Sequence, residues 1–263
     1  MKIKPIRLNE FLIKSNTPSD SNLPLVHSAM AARLLDILND ERLLATPCNV
    51  FMGDNLCYLF VGRPSYKVPA SENPSEWQLP VVFVLRFAHE LPIKRIFPFD
   101  SGAFVGKRLP NYITCFDINN YDVSVNKNNI GRLVSVFFGD DARYIKRRSF
   151  DIFDIKERYE IDARHQEIAA LARLYREDSN ANFDDRAAAI ELQITEDIYL
   201  TSQNVLGIVM PSEYARIPGF RDSIFHITDA IETYDLHPLN SASHYGLIYE
   251  AVNNIYRRYG LYK

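Results

Sequence analysis

The spacing of apolar residues changes several times along this chain, and each change predicts an element. A polar, turn-forming stretch from Ser15 to Asn22 separates a short leading segment from Leu25, where a strand is expected to begin and to end near His27. Met30, Leu34, Ile37 and Leu38 then recur at helical spacing. They predict a helix from about Ala29 to Asn39, capped by Ser28, with His27 beside its anion-favouring N-terminus. Cys57 to Val61 reads as a buried strand ending at the breaker Gly62-Arg63-Pro64. Pro80 to Phe87 reads as another, with Lys67 to Leu79 as a polar loop between the two.

The middle of the chain is less regular. Phe97 to Phe104 reads as a turn-rich loop, Ile130 to Phe138 as a short helix, and Asp162 to Tyr175 as a longer helix with Ile168, Leu171 and Tyr175 on one face. After a polar break from Asp178 to Asp185, strands are expected at Ala188 to Ile194, Ile198 to Leu200 and Val205 to Met210, the last stopped by Pro211. Ser243 to Tyr259 predicts a closing helix, with Leu247, Ala251, Asn254 or Ile255, and Arg258 spaced by one turn. The expected class is α+β with mostly antiparallel pairing. The expected organisation is a single domain over 1–263 carrying a long insertion at about 88–185, where substrate choice would reside.

Composition narrows the setting more than the chemistry. With 263 residues, 47% of them hydrophobic, the chain can bury a substantial core. A formal net charge of -3 argues against a permanently basic nucleic-acid coat but leaves room for a local basic patch. Cys48, Cys57 and Cys115 show no C-x-x-C spacing, so neither a disulfide framework nor a zinc site is expected, and a reducing cytoplasm fits them best. No apolar stretch approaches the roughly 18 residues of a membrane helix, so no membrane partner is expected.

The candidate chemistry begins with three side chains. An imidazole at His27 can offer one ring nitrogen to a ribose hydroxyl while the backbone holds the other; the bland alternative is a partly buried structural histidine. Arg63, at a strand end, can grip a pyrophosphate through two parallel N–H bonds or pair with a carboxylate, and it can equally be a surface arginine after a buried strand. Glu191 lies between Ile190 and Leu192. On a strand it would share a face with Ala189 and Gln193, either solvated or aimed into a pocket. Gln193 on that face could help to position an acceptor.

Other motifs are weaker. The Phe97 to Phe104 loop, with Asp100 and Ser101 flanked by aromatics, could cover a ligand or present a substrate, although aromatic anchors that pack a loop down are commoner, and Asp100 is a reserve candidate. The run Lys146-Arg147-Arg148, with Tyr144 and Phe150, offers phosphate contacts and a stacking platform, although a solvated charged turn explains it adequately. Gly102-Ala-Phe-Val-Gly106-Lys107-Arg108 has too few residues between its glycines, and no Ser or Thr after the lysine, for a Walker loop. Neither H-E-x-x-H nor G-x-S-x-G occurs.

Taken in order, Leu25-Val-His27-Ser-Ala, Tyr58-Leu-Phe60-Val-Gly62-Arg63-Pro64-Ser65-Tyr66 and Arg186-Ala-Ala-Ala-Ile-Glu191-Leu-Gln193 resemble the segments that carry the working residues of DarT-type ADP-ribosyltransferases. The resemblance covers roughly thirty residues, and Ala29 stands where the family usually has a threonine. It implies an ADP-ribosyltransferase-like fold of split, twisted antiparallel sheets with flanking helices, NAD in the cleft and no metal. It further implies that His27, Ser28, Tyr58 and Arg63 hold NAD, that Glu191 acts with Arg63 in catalysis, and that Gln193, Asp100, Arg147 and Arg148 face the acceptor. The acceptor would be nucleic acid in preference to protein. The biological role implied is that of a toxin or phage-defence effector, with an antitoxin or defence-system partner. Two alternatives stay open: a catalytically inactive binding or assembly protein on the same fold, and an RNA 2'-phosphotransferase, which would call for more basic residues than can be placed here.

Overall fold

The computed structural model describes residues 3–65, 74–87, 89–176, 185–236 and 244–261. In chain order the first elements are α1 (Leu8–Lys14), β1 (Leu25–Met30), α2 (Leu34–Asp40), β2 (Arg42–Leu43), β3 (Thr46–Pro47), β4 (Asn55–Val61), β5 (Pro80–Leu85) and β6 (Ile93–Phe97). The helices α3 (Ser101–Val105), α4 (Asn111–Thr114), α5 (Asn129–Phe137), α6 (Asp141–Ile145), α7 (Ile152–Arg158) and α8 (Gln166–Arg176) follow. The remainder is β7 (Glu191–Ile194), β8 (Ile198–Tyr199), β9 (Val205–Pro211), α9 (Ser212–Ala215), α10 (Phe220–Ile224), β10 (Ile231–Tyr234) and α11 (His244–Arg258). The chain divides into a helix-rich unit, residues 1–23, 49–52 and 93–193, and a sheet unit, residues 24–48, 53–92 and 194–263.

In the sheet unit the strand order is β10-β9-β5-β1-β4, with β3 on β4 and a separate β2-β8 pair. All these pairings are antiparallel except β10 with β9. Every residue of β5 is buried, which is why its sequence is an unbroken apolar run and does not alternate. Helix α11 packs on β9 and β10 through Ile248, Ala251, Val252, Ile255 and Tyr256. Gly207 on β9 permits that approach: a Cβ there would stand 2.7 Å from Ile255 Cδ1 and 2.8 Å from the Ala230 carbonyl oxygen.

In the helix-rich unit, α1 packs on α5, α8 packs on α4 and α7, and β6 lies beside β7. The segment leading away from α1 runs over the backbone of α5, where a Cβ on Gly131 would stand 2.0 Å from the Ser19 carbonyl oxygen. Ser135 Oγ donates to the Pro18 carbonyl at 2.9 Å, and Asn129 Nδ2 donates to Asn9 Oδ1 at 2.8 Å. Phe137, Phe138, Tyr144 and Tyr175 form a buried aromatic cluster, and the Tyr175 hydroxyl donates to the Pro98 carbonyl at 2.7 Å.

The mixed class and the mostly antiparallel pairing agree with the sequence pattern, and several local readings need correction. The strand begun at Leu25 does not end at His27 but runs to Met30, because Ser28, Ala29 and Met30 pair with Val82, Val81 and Pro80 of β5. A 3-10 turn at Ala31–Arg33 follows, the helix starts only at Leu34, and Ser28, inside the strand, caps nothing. Pairing along a long buried strand outweighs a helical spacing that Met30 only extends. Phe97 to Phe104 is not a loop: Asp100 accepts the Ala103 N–H at 2.8 Å and starts α3, an N-cap signal the aromatic residues obscured. The strand expected from Ala188 begins at Glu191 and follows a 3-10 turn at Asp185–Ala187, so Ala189 shares no strand face with Glu191. On α11 the core face is set by Ile248 and not by Leu247, which is exposed. Tyr66, residues 67–73 of the expected polar loop and residues 178–184 of the polar break lie outside the described residues. Helix α1 and strand β10 were not foreseen.

Candidate functional site

Glu191 is the first residue of β7, where its side chain shares a face with Gln193, and both side chains are fully buried in the helix-rich unit. Ser101, the first residue of α3, donates twice to the glutamate: Oγ to Oε1 at 2.6 Å and the backbone N–H to Oε2 at 3.1 Å. Gln193 Nε2 donates to Glu191 Oε1 at 2.8 Å and to Ser101 Oγ at 3.2 Å. On β6, Arg95 Nη1 donates to Gln193 Oε1 at 3.0 Å. These neighbours present hydrogens to the carboxylate on both of its oxygens, an arrangement that suits its ionised form.

Asp100 sits one residue from this cluster. Its Oδ1 caps α3, and its backbone N–H donates to the Arg186 carbonyl at 3.0 Å, so it fixes where Ser101 points. Ser101 was named from the sequence only beside Asp100, and Arg95 was not singled out. The Asp100-Ser101 pair ahead of a short apolar run was the available signal for Ser101, while nothing local marks Arg95.

The sheet unit holds the other candidates. β1 and β4 pair only at Leu25 with Val61 and Val26 with Phe60. Beyond that pairing the His27 ring meets β4 directly: Nδ1 lies 2.9 Å from the Tyr58 carbonyl oxygen and 4.0 Å from Cys57 Sγ. A carbonyl oxygen only accepts, so Nδ1 carries a proton, and in the neutral ring Nε2 is the acceptor. The Tyr58 hydroxyl lies 2.8 Å from Cys48 Sγ. Gly62 adopts φ 61° and is held at both ends, its N–H donating to the Pro24 carbonyl at 2.7 Å and its carbonyl accepting the buried Tyr256 hydroxyl at 2.9 Å. This turn delivers Arg63 and Ser65, both buried, immediately after β4. The hydroxyl oxygens of Ser28 and Ser65 are buried and have no hydrogen-bond partner among the described residues.

The basic run closes α6 in the helix-rich unit. Arg148 and Lys146 are exposed and Arg147 is half-buried. Tyr144 cannot serve as the expected stacking platform, because it is fully buried and its hydroxyl accepts the Ile190 N–H at 2.9 Å. Phe150 is already covered by cations, with the Arg143 guanidinium 4.6 Å and the Arg158 guanidinium 4.4 Å from its ring centre. The result is a basic face whose aromatic ring serves the arginines.

The structure thus brings Glu191, Gln193 and, through Ser101, Asp100 together in one unit, and His27 with Tyr58 in the other. Comparison with protein-family models and with curated proteins finds no match. Among the described residues no group of three or more His, Cys, Asp or Glu is placed to hold a metal ion, and no helix is long and apolar enough to cross a membrane. Cys48, Cys57 and Cys115 form no disulfide.

Proposed function

We propose that this protein is an NAD-dependent ADP-ribosyltransferase acting on a macromolecular acceptor, nucleic acid in preference to protein, in a cytoplasmic toxin or phage-defence role with an antitoxin or defence-system partner. The observation that carries the reading is the Glu191 carboxylate, buried and fixed at 2.6–3.1 Å by Ser101 and Gln193. A preorganised carboxylate of this kind stabilises positive charge at a sugar carbon more strongly than one in water.

In the proposed reaction the bond between the nicotinamide nitrogen and ribose C1' breaks, the electron pair leaves with nicotinamide, and Glu191 offsets the charge left on the ribose, as carboxylates do in glycoside hydrolysis. The acceptor nucleophile then bonds to C1' and gives up its proton, with Glu191 as the base. Arg63 would take the pyrophosphate, and His27 Nε2 would accept from a ribose hydroxyl. The unpartnered hydroxyls of Ser28 and Ser65 support a polar ligand in the sheet unit. Asp100 and Gln193 act in this reading as supports of Ser101 and Glu191, and Arg147 and Arg148 as acceptor contacts. Glu191 has no exposed surface as folded here, so turnover requires a movement that opens a path to it.

The test is label transfer from radiolabelled NAD into a cell extract treated separately with nuclease and protease, comparing the wild type with Glu191→Gln. Label that appears with the wild type alone and is lost to nuclease is the expected result. Loss to protease instead would assign a protein acceptor, and no label with no NAD consumption in extracts from several sources would end the transferase reading. The complete burial of Glu191 favours one second reading, a binding or assembly protein in which the cluster only supports the fold. It predicts that Glu191→Gln lowers the melting temperature and changes no NAD-dependent signal.

A further inference from the structure

We propose that Arg95 is a positioning residue: through the Gln193 amide it fixes the orientation of the Glu191 carboxylate and holds it in its hydrogen-accepting, ionised form. As a statement about catalysis this rests on the transferase reading; as a statement about charge it stands on geometry alone.

The amide of Gln193 can sit in two orientations of nearly equal shape and opposite polarity. With Nε2 toward Glu191 and Ser101, the glutamate is met by donors. With Oε1 in that place, two oxygens would face each other in a fully buried site, and the glutamate would have to take up a proton to relieve the clash. Arg95 decides between them because a guanidinium has donors and no acceptor, so the oxygen of Gln193 must face it, as it does at 3.0 Å.

The guanidinium is itself held in place. It lies 4.1 Å over the Phe51 ring, and Phe51 stacks on Phe97 with 5.8 Å between ring centres and 6° between planes. The order of contact is therefore Phe97, Phe51, Arg95, Gln193, Glu191, Ser101, with a fixed polarity from a half-buried cation to a buried anion. Charged groups in this cluster include Arg95 on β6, which bonds Gln193, and Asp100 at the α3 N-cap, which accepts the Ala103 N–H.

The experiment is a carbon-13 NMR titration of protein labelled at the glutamate carboxyl carbons, with the Glu191 signal assigned by its loss in Glu191→Gln. Wild type, Arg95→Met and Arg95→Lys are compared, and the Gln193 side-chain amide is followed by nitrogen-15 NMR. Arg95→Met is expected to raise the Glu191 midpoint by about one pH unit, a tenfold gain in proton affinity, and to shift the Gln193 amide signals. Arg95→Lys, which keeps the charge, is expected to restore most of the wild-type midpoint.

A merely structural Arg95 would lower the melting temperature of Arg95→Met and leave both signals where they are, which would overturn the proposal. If Arg95→Met does not fold, Arg95→Gln is read the same way. Label transfer measured on the same proteins separates the two ideas. A shifted midpoint in a protein that never transfers ADP-ribose sinks the transferase and keeps the relay, and an unshifted midpoint in an active enzyme does the reverse.

Discussion

The two units secure their candidate chemistry by different means. In the sheet unit His27 is oriented by a main-chain carbonyl and Arg63 by a glycine turn whose own N–H and carbonyl are both engaged. In the helix-rich unit Glu191 is held by the Ser101 hydroxyl and backbone N–H and by the side-chain amide of Gln193, which Arg95 bonds in turn. Backbone supports survive most substitutions, since every residue but proline supplies the same groups. Side-chain networks are more exacting, because each member left behind by a deletion is a buried polar group without its partner. The helix-rich unit should therefore be the more sensitive to single changes.

The largest effect is expected where backbone meets backbone. Gly131→Ala would set a methyl group 2.0 Å from the Ser19 carbonyl oxygen, and neither α5 nor the 18–20 segment can yield without losing the Ser135 and Asn129 bonds. A loss of about 3 kcal/mol or more is expected. Gly207→Ala meets Ile255 Cδ1 at 2.7 Å, a side-chain end that can turn, but also the Ala230 carbonyl at 2.8 Å, so about 1–3 kcal/mol is expected. Urea denaturation ranks the two, and segment-resolved amide exchange reports which unit opens. Equal exchange in both units after Gly131→Ala would show that they unfold as one cooperative body and would break the comparison.

A second pair compares the supports themselves. Ser101→Ala removes the hydroxyl that donates to Glu191 at 2.6 Å and accepts from Gln193 at 3.2 Å, and a hydrogen bond to a charged group is worth about 1.5–3 kcal/mol. Tyr256→Phe removes one bond to the Gly62 carbonyl, between neutral groups, for about 1 kcal/mol. Denaturant midpoints that reverse this order would mean that the glutamate cluster contributes less to stability than its geometry suggests. In the transferase reading Ser101→Ala also slows turnover, whereas Tyr256→Phe weakens NAD binding by loosening the turn that carries Arg63.

The same contrast explains what was legible in the sequence. Strand β4 was plain because most of it is a buried apolar run closed by Gly62-Arg63-Pro64, and α5 and α8 were plain because their apolar residues repeat at one-turn spacing. The extension of β1 to Met30 was not legible, since it depends on pairing with β5, some fifty residues away. Glu191 and Gln193 were found as a pair because a strand puts alternate residues on one face. Arg95 was not, because its part in the cluster depends on β6 lying beside β7, which local spacing does not encode.

The smallest effect expected is the response to acid, and it also falls in the helix-rich unit. Asp162 accepts hydrogen bonds from the Arg164 side chain and backbone and lies 2.9 Å from His165 Nδ1, and the Arg164 bonds hold its carboxyl well below the usual carboxylate range. A carboxyl whose folded value is depressed contributes stability that is fully present above its unfolded value, near 4 for aspartate, and is lost as pH falls toward the folded value. The helix-rich unit should therefore weaken between about pH 5 and the acid limit, and Asp162→Asn should flatten that part of the profile because it has already lost the same small contribution at neutral pH. Because Asp162 and Arg164 are both solvent-exposed, salt should screen most of the effect. Denaturant midpoints at pH 6 and pH 3, in low and high salt, measure it. An acid loss that is as large in Asp162→Asn as in the wild type would move the sensitivity to another carboxylate and leave the Asp162 ion pair as surface decoration.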